Sequence, residues 1–160
     1  MPVTPIQRLS CALRALPARQ RTAAGKFAGV NDRAVQRAAA EVEIRADHYL
    51  KLCAAIGINS MTGAPAPVRK LGDLDWKLMG LGIEMTRRIC LIASQREMVA
   101  RIGNRVSLSM VSRIENGQPV SISGVIAICK FIGTTPEQYC ASAEMFHVQP
   151  KTETRARASA

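Results

Sequence analysis

Aromatic side chains are scarce in this sequence: one Trp, two Tyr and three Phe make up 4% of the residues. A core without them must be built from Ala, Leu, Ile, Val and Met, a palette that suits small helical bundles better than sandwiches or barrels. No apolar run approaches the roughly 20 residues that cross a bilayer, and the first residues lack the hydrophobic region of a signal peptide. The expectation is a cytoplasmic protein with no membrane partner. The five cysteines (Cys11, Cys53, Cys90, Cys129, Cys140) show no CxxC spacing, so they are expected to act as small buried hydrophobes rather than as a metal or dithiol site. His48 and His147 stand alone, and no HExxH, Walker-type loop or GxSxG occurs. No enzyme activity, metal or cofactor is therefore expected.

Acidic residues are also few, 12 against 22 Lys and Arg, which leaves a net charge of +10. Such an excess makes a polyanion the default partner, nucleic acid ahead of a membrane surface. The excess is concentrated at the front. Residues 1–70 carry 11 basic and 4 acidic groups, a net of +7; residues 71–140 carry 8 and 6, or +2; the last twenty add +1.

The stretch with the sharpest local pattern is VSLSMVSRIENG, Val106–Gly117. Ser107 is a cap candidate. Met110, Val111 and Ile114 share one side of a short helix, and Ser109, Ser112 and Arg113 face elsewhere. Gly117 then ends the helix by taking positive φ at little cost. Just upstream, Ser94-Gln95-Arg96-Glu97 opens another short helix through Met98, Val99 and Ile102, with Gly103 after it. Two short helices joined by a turn outline a helix-turn-helix.

These segments, SQRE at Ser94–Glu97, VSLSMVSRIENG, and VIAICKFIGTTPEQYC at Val125–Cys140, together resemble the Cro/repressor-type (lambda-repressor-like, XRE) helix-turn-helix family. Asn104 and Arg105 stand as two extra residues in the turn. The resemblance implies a bacterial DNA-binding regulator, of a chromosome or a mobile element, that acts as repressor or activator and is nucleoid-associated.

The first half repeats the second. A shift of 76 pairs Val30 with Val106, Val35 with Val111, Arg37 with Arg113, Leu52 with Ile128, Cys53 with Cys129, Ile56 with Ile132 and Gly57 with Gly133, with no gap. The matches fall at apolar and turn positions, as a buried scaffold built twice requires. Thr4-Pro5-Ile6-Gln7 is a capping box with Pro at the first helical position. Ile6, Leu9, Leu13 and Leu16 continue that helix to Pro17. Further helices are expected over Arg19–Ala28, over 32–40 with Asn31 as cap, and around Tyr49–Ile56. Gly, Pro and Ser cluster in residues 59–74, which read as a linker. A helix over 75–92 follows, weakened by Gly80 and Gly82 at about 1 kcal/mol each. Thr135-Pro136-Glu137-Gln138 reads as a capping box that starts a fifth helix.

The expected fold class is all-α: two tandem lambda-repressor-like helix-turn-helix domains of four to five short helices each. Residues 1–58 form the first, 75–146 the second, and 147–160 a disordered tail.

In a helix-turn-helix the second helix enters the major groove and its first two turns face base edges. In the first copy those positions hold Asp32, Arg33, Gln36 and Arg37, with Asn31 at the cap, and the family pattern points most directly to Asp32, Arg33 and Arg37. Arg can grip guanine O6 and N7, and Asp can accept from cytosine N4. Arg19, Gln20 and Arg21, at the start of the preceding helix, are placed for phosphates. In the second copy the corresponding positions carry Ser107, Leu108, Ser109, Ser112 and Arg113. By family analogy Gln95 and Arg96 meet the backbone. The Glu115-Asn116 pair is expected to serve the helix terminus and one phosphate. Leu108 cannot read by hydrogen bonds; it would touch thymine methyls or face a protein. The expected partner is double-stranded DNA, bound by a homodimer or by one chain. The rival is a protein partner of the C-terminal half, as in an anti-activator or antitoxin-like adaptor.

Overall fold

The computed structural model describes residues 3–103 and 105–142, and its regular structure is eight helices with one pair of short strands. The elements are α1 (Pro5–Ala15), α2 (Ala18–Ala28), α3 (Asp32–Ala39), α4 (Ala46–Ala55), β1 (Leu71–Leu74), α5 (Trp76–Ile89), α6 (Gln95–Ile102), α7 (Leu108–Glu115), α8 (Ile122–Ile132) and β2 (Cys140–Ser142), with a single 3-10 turn at Pro136–Tyr139. None of the described helices is long and apolar enough to cross a membrane. Asn104, His147 and the tail from 147 lie outside the described residues.

Local chemistry explains the helix starts. The α1 capping box is complete: Gln7 N–H donates to Thr4 Oγ1 at 3.3 Å, and Thr4 N–H to Gln7 Oε1 at 2.9 Å. Asn31, Ser107, Asp75 and Ser94 each accept from a backbone N–H three residues on, satisfying donors that have no partner inside a helix. Thr135 makes no such bond, and the residues after it form the 3-10 turn rather than a fifth α-helix.

The 76-residue repeat of the sequence is a repeat of structure. α3 and α7 begin and end at equivalent positions, and α4 and α8 begin at equivalent positions. The paired apolar residues are buried in both copies: Val30 with Val106, Val35 with Val111, Leu52 with Ile128, Cys53 with Cys129. α1 lies across α3 as α5 lies across α7, and α4 packs against α8 at the centre. There the two halves meet about an approximate two-fold axis. Ala46 N–H donates to Val120 O at 3.1 Å, and Ile122 N–H donates to Ile44 O at 3.3 Å. Each partner in one bond is the 76-residue equivalent of a partner in the other, and the bridged residues Arg45 and Ser121 are equivalents too. A self-complementary contact of this kind is how identical subunits pair; here one chain supplies both sides.

Three expectations need correction. Residues 59–74 are no free linker. Asn59 Oδ1 accepts from Met61 and Thr62 N–H, both at 2.9 Å, and Asn59 N–H closes the turn on Ala64 O at 2.8 Å. The segment then runs along α4, where Arg69 N–H reaches Ala54 O at 3.0 Å, and ends as β1 paired antiparallel with β2. The Gly/Pro/Asn chemistry does interrupt the helices, but it folds the chain back onto the core. The small sheet is accordingly an addition to the all-helical expectation. Finally, only Cys53 and Cys129 are buried: Cys11 lies on the outer side of α1 and Cys90 follows the last residue of α5, both exposed, and Cys140 is half-buried.

Candidate nucleic-acid interface

The helix pair α2–α3 is joined by a tight turn in which Gly29 takes φ 66°, and Val30 N–H closes the turn on Gly25 O at 2.9 Å. α3 buries Ala34, Val35 and Ala38, so 3.6-residue periodicity turns Asp32, Arg33, Gln36 and Arg37 outward. All four are exposed, as is the capping Asn31. Asn31 Oδ1 is occupied by Ala34 N–H at 2.8 Å. Arg19 and Gln20 are exposed on the first turn of α2, and Arg21 is half-buried. Arg21 and Asp32 line one shallow hollow between α2 and α3, together with Thr22 and Gln36. The α2 start has Pro17 as its cap, with no side-chain cap bond and no acid in the first turn. Free N–H groups beside two arginines suit a phosphate.

The second pair, α6–α7, repeats this frame with a different surface. Ser107 Oγ caps Met110 N–H at 3.2 Å and lies 3.0 Å from Ser109 Oγ. Leu108 is 39% exposed beside them. Ser112 is half-buried, and Asn116 uses its amide to donate to Ser112 O at 2.8 Å, holding the helix end. The start of α6 is already filled: Ser94 accepts from Glu97 N–H, and Glu97 accepts from Ala93 N–H at 2.9 Å and from Arg101 at 2.6 Å. Those bonds hold the Glu97 carboxyl below the usual range. Arg96 is exposed.

Gln95 departs from expectation. Its amide donates to Glu115 Oε2 at 2.5 Å, and Arg87 meets the other oxygen of that carboxylate at 3.1 Å. A half-buried amide bound to a largely buried carboxylate is committed to joining α5, α6 and α7, and is not free for a backbone phosphate. The cause is Glu115, whose charge Arg87 pairs through Oε1 but whose Oε2 would otherwise be left without a hydrogen-bond partner away from water.

The two arginines at equivalent positions behave alike. Arg37 Nη2 donates to Glu43 O at 3.0 Å, and Arg113 Nη2 to Pro119 O at 2.9 Å. Each fastens its helix, α3 or α7, to the loop that meets its counterpart on the axis. Each guanidinium keeps further donors, because Arg carries five.

One residue escaped the sequence reading. Arg45 sits on the axis, exposed, gripped by Asp47 at 3.0 and 2.9 Å. With His48 it lines a hollow shared with Asn31, Arg33 and Arg37, so the surface of α3 runs without a break to the axis. Only the tertiary fold places residue 45 beside residue 33. In the second half, α5 exposes Leu78, Leu81, Met85 and Ile89, an apolar stripe at helical spacing.

No family model, no curated protein and no solved structure matches this chain.

Proposed function

We propose that the protein is a sequence-specific, DNA-binding transcriptional regulator built from two lambda-repressor-like helix-turn-helix units, with α3 and α7 as reading helices. The observation that carries this reading is the build of the first pair. A short helix offers Asp32, Arg33 and Gln36 to solvent on its outer face, beside an uncapped helix start carrying Arg19 and Arg21. Anionic, neutral polar and cationic groups are thus gathered on one edge, the arrangement that lets phosphate contacts set position while base-edge contacts select sequence. The net charge of +10 adds long-range attraction to a duplex. The test is genome-wide footprinting of the tagged protein. Recurrent protected sites that vanish with Arg33→Ala/Arg37→Ala support the reading; uniform weak coverage refutes it.

A second reading has a specific observation behind it. The exposed Leu108, with the stripe Leu78, Leu81, Met85 and Ile89, gives the C-terminal half more apolar surface than a DNA reader uses. On this reading that half engages a protein, as an adaptor or anti-activator does. Salt separates the two. Binding through phosphates weakens steeply from 50 to 200 mM salt, and binding through apolar surface changes little.

A further inference from the structure

We infer that one chain, without a second copy, occupies a duplex site made of two inverted half-sites, and that the two halves are read unequally. This rests on the DNA-binding reading above and names the kind of site that reading requires.

Three features carry it. The reciprocal bonds of Ala46 to Val120 and of Ile122 to Ile44 define an axis relating residue n to residue n + 76. The arginine latches Arg37–Glu43 and Arg113–Pro119 then tie α3 and α7 to that axis in the same way. Last, the hollow holding Asn31, Arg33, Arg37, Arg45 and His48 places the outward face of α3 on the same surface where the axis emerges, at Arg45 and Ser121. By the approximate symmetry, the face of α7 bearing Ser107 and Ser109 opens onto that surface from the other side. A homodimer must assemble two reading helices about a dyad; this chain folds with them already in place, held by a packed α4–α8 contact.

The halves differ in chemistry. α3 presents Asp32, Arg33 and Gln36, side chains that discriminate base edges, next to an uncapped α2 start. α7 presents Ser107, Leu108 and Ser109, next to an α6 start occupied by its own Glu97. The first half-site is therefore specified closely and the second loosely.

The experiment is selection of the full-length protein against a duplex library with a random 30-bp core, followed by native mass spectrometry of the complex with the enriched duplex. The expected result is a two-part inverted motif, one part sharp and one diffuse, bound by one chain. Arg33→Ala should blur the sharp part alone, and Leu108→Arg should sharpen the diffuse part. A 5-bp insertion between the parts should weaken binding at least tenfold, because the heads are rigidly joined. A single half-site, two chains per duplex on a symmetric pair of sharp parts, or indifference to the insertion would overturn the inference and leave DNA reading intact. No enrichment of any sequence would overturn both.

Discussion

Replacing Gly80 by alanine reverses a sign that helix propensity would set. In an isolated helix the change would stabilise by about 1 kcal/mol. In the fold, a Cβ at Gly80 would lie 2.4 Å from Ile114 O and 3.0 Å from Glu115 O, both backbone atoms at the end of α7. Ordinary contact begins at 3.4 Å, so α5 would have to retreat by 1.0 Å (3.4 less 2.4). That retreat would loosen Met79 and Ile83, which are fully buried on the same face of α5. Overpacking costs about 1–3 kcal/mol, and because the obstacle here is backbone rather than a movable side chain the cost falls in the upper part, about 2–3 kcal/mol, so the net loss after the propensity gain is about 1–2 kcal/mol. With a urea slope of about 2 kcal/mol/M, the unfolding midpoint should fall by roughly 0.5–1 M, read by far-ultraviolet circular dichroism. Gly82→Ala is the control. Its Cβ would meet the tip of the Tyr139 side chain at 2.8 Å, an obstacle that can swing aside, so the propensity gain of up to about 1 kcal/mol is kept and its midpoint should hold or rise. A Gly80→Ala protein as stable as the parent, or more so, would refute the close α5–α7 approach that holds α7 in place.

Other outcomes follow from the same geometry. Arg33→Ala with Arg37→Ala should weaken specific binding more than tenfold at physiological salt, measured by fluorescence anisotropy, and Arg33→Ala alone should leave thermal stability unchanged because that side chain makes no described hydrogen bond or ion pair. Glu41 holds φ 60° where its equivalent Gly117 holds 68°; Glu41→Gly should gain about 0.5–1 kcal/mol in urea unfolding, since relief of the left-handed conformation outweighs both the added chain entropy and an exposed 3.4 Å ion pair with Arg14. Burial pushes the Cys53 and Cys129 thiols up to about 12, so at pH 8 a thiol reagent should label Cys11 and Cys90 promptly and these two only on unfolding. By linkage, a thiol raised from 9.0 stabilises the fold fully below pH 9, and that contribution should fade as pH climbs from 9 toward 12.

Much of the fold was legible because it is local. The Thr4–Gln7 capping box, the caps at Asn31 and Ser107, and the spacing of buried Val35 and Val111 are each set within a few residues. The outward placement of Asp32, Arg33, Gln36 and Arg37 followed from the same periodicity. What was missed is long-range. β1 finds β2 across some seventy residues, and the stretch before it, broken by Gly63, Pro65 and Pro67, reads as a linker until Tyr49 and Arg8 are seen to hold Ser60 and Met61 by their carbonyls. Gln95 faces inward because Glu115, distant in sequence, lies beneath it.

The residues by themselves determined two copies of a short-helix scaffold and the cationic balance of the leading copy, because capping, periodicity and repeat spacing act over one turn of helix or by simple comparison. How the copies face each other was left to the tertiary structure. The reciprocal bonds at Ala46 and Ile122, the latches at Arg37 and Arg113 and the arrival of Arg45 beside Arg33 depend on backbone groups with no sequence signature, brought together only when α4 and α8 exclude water between them.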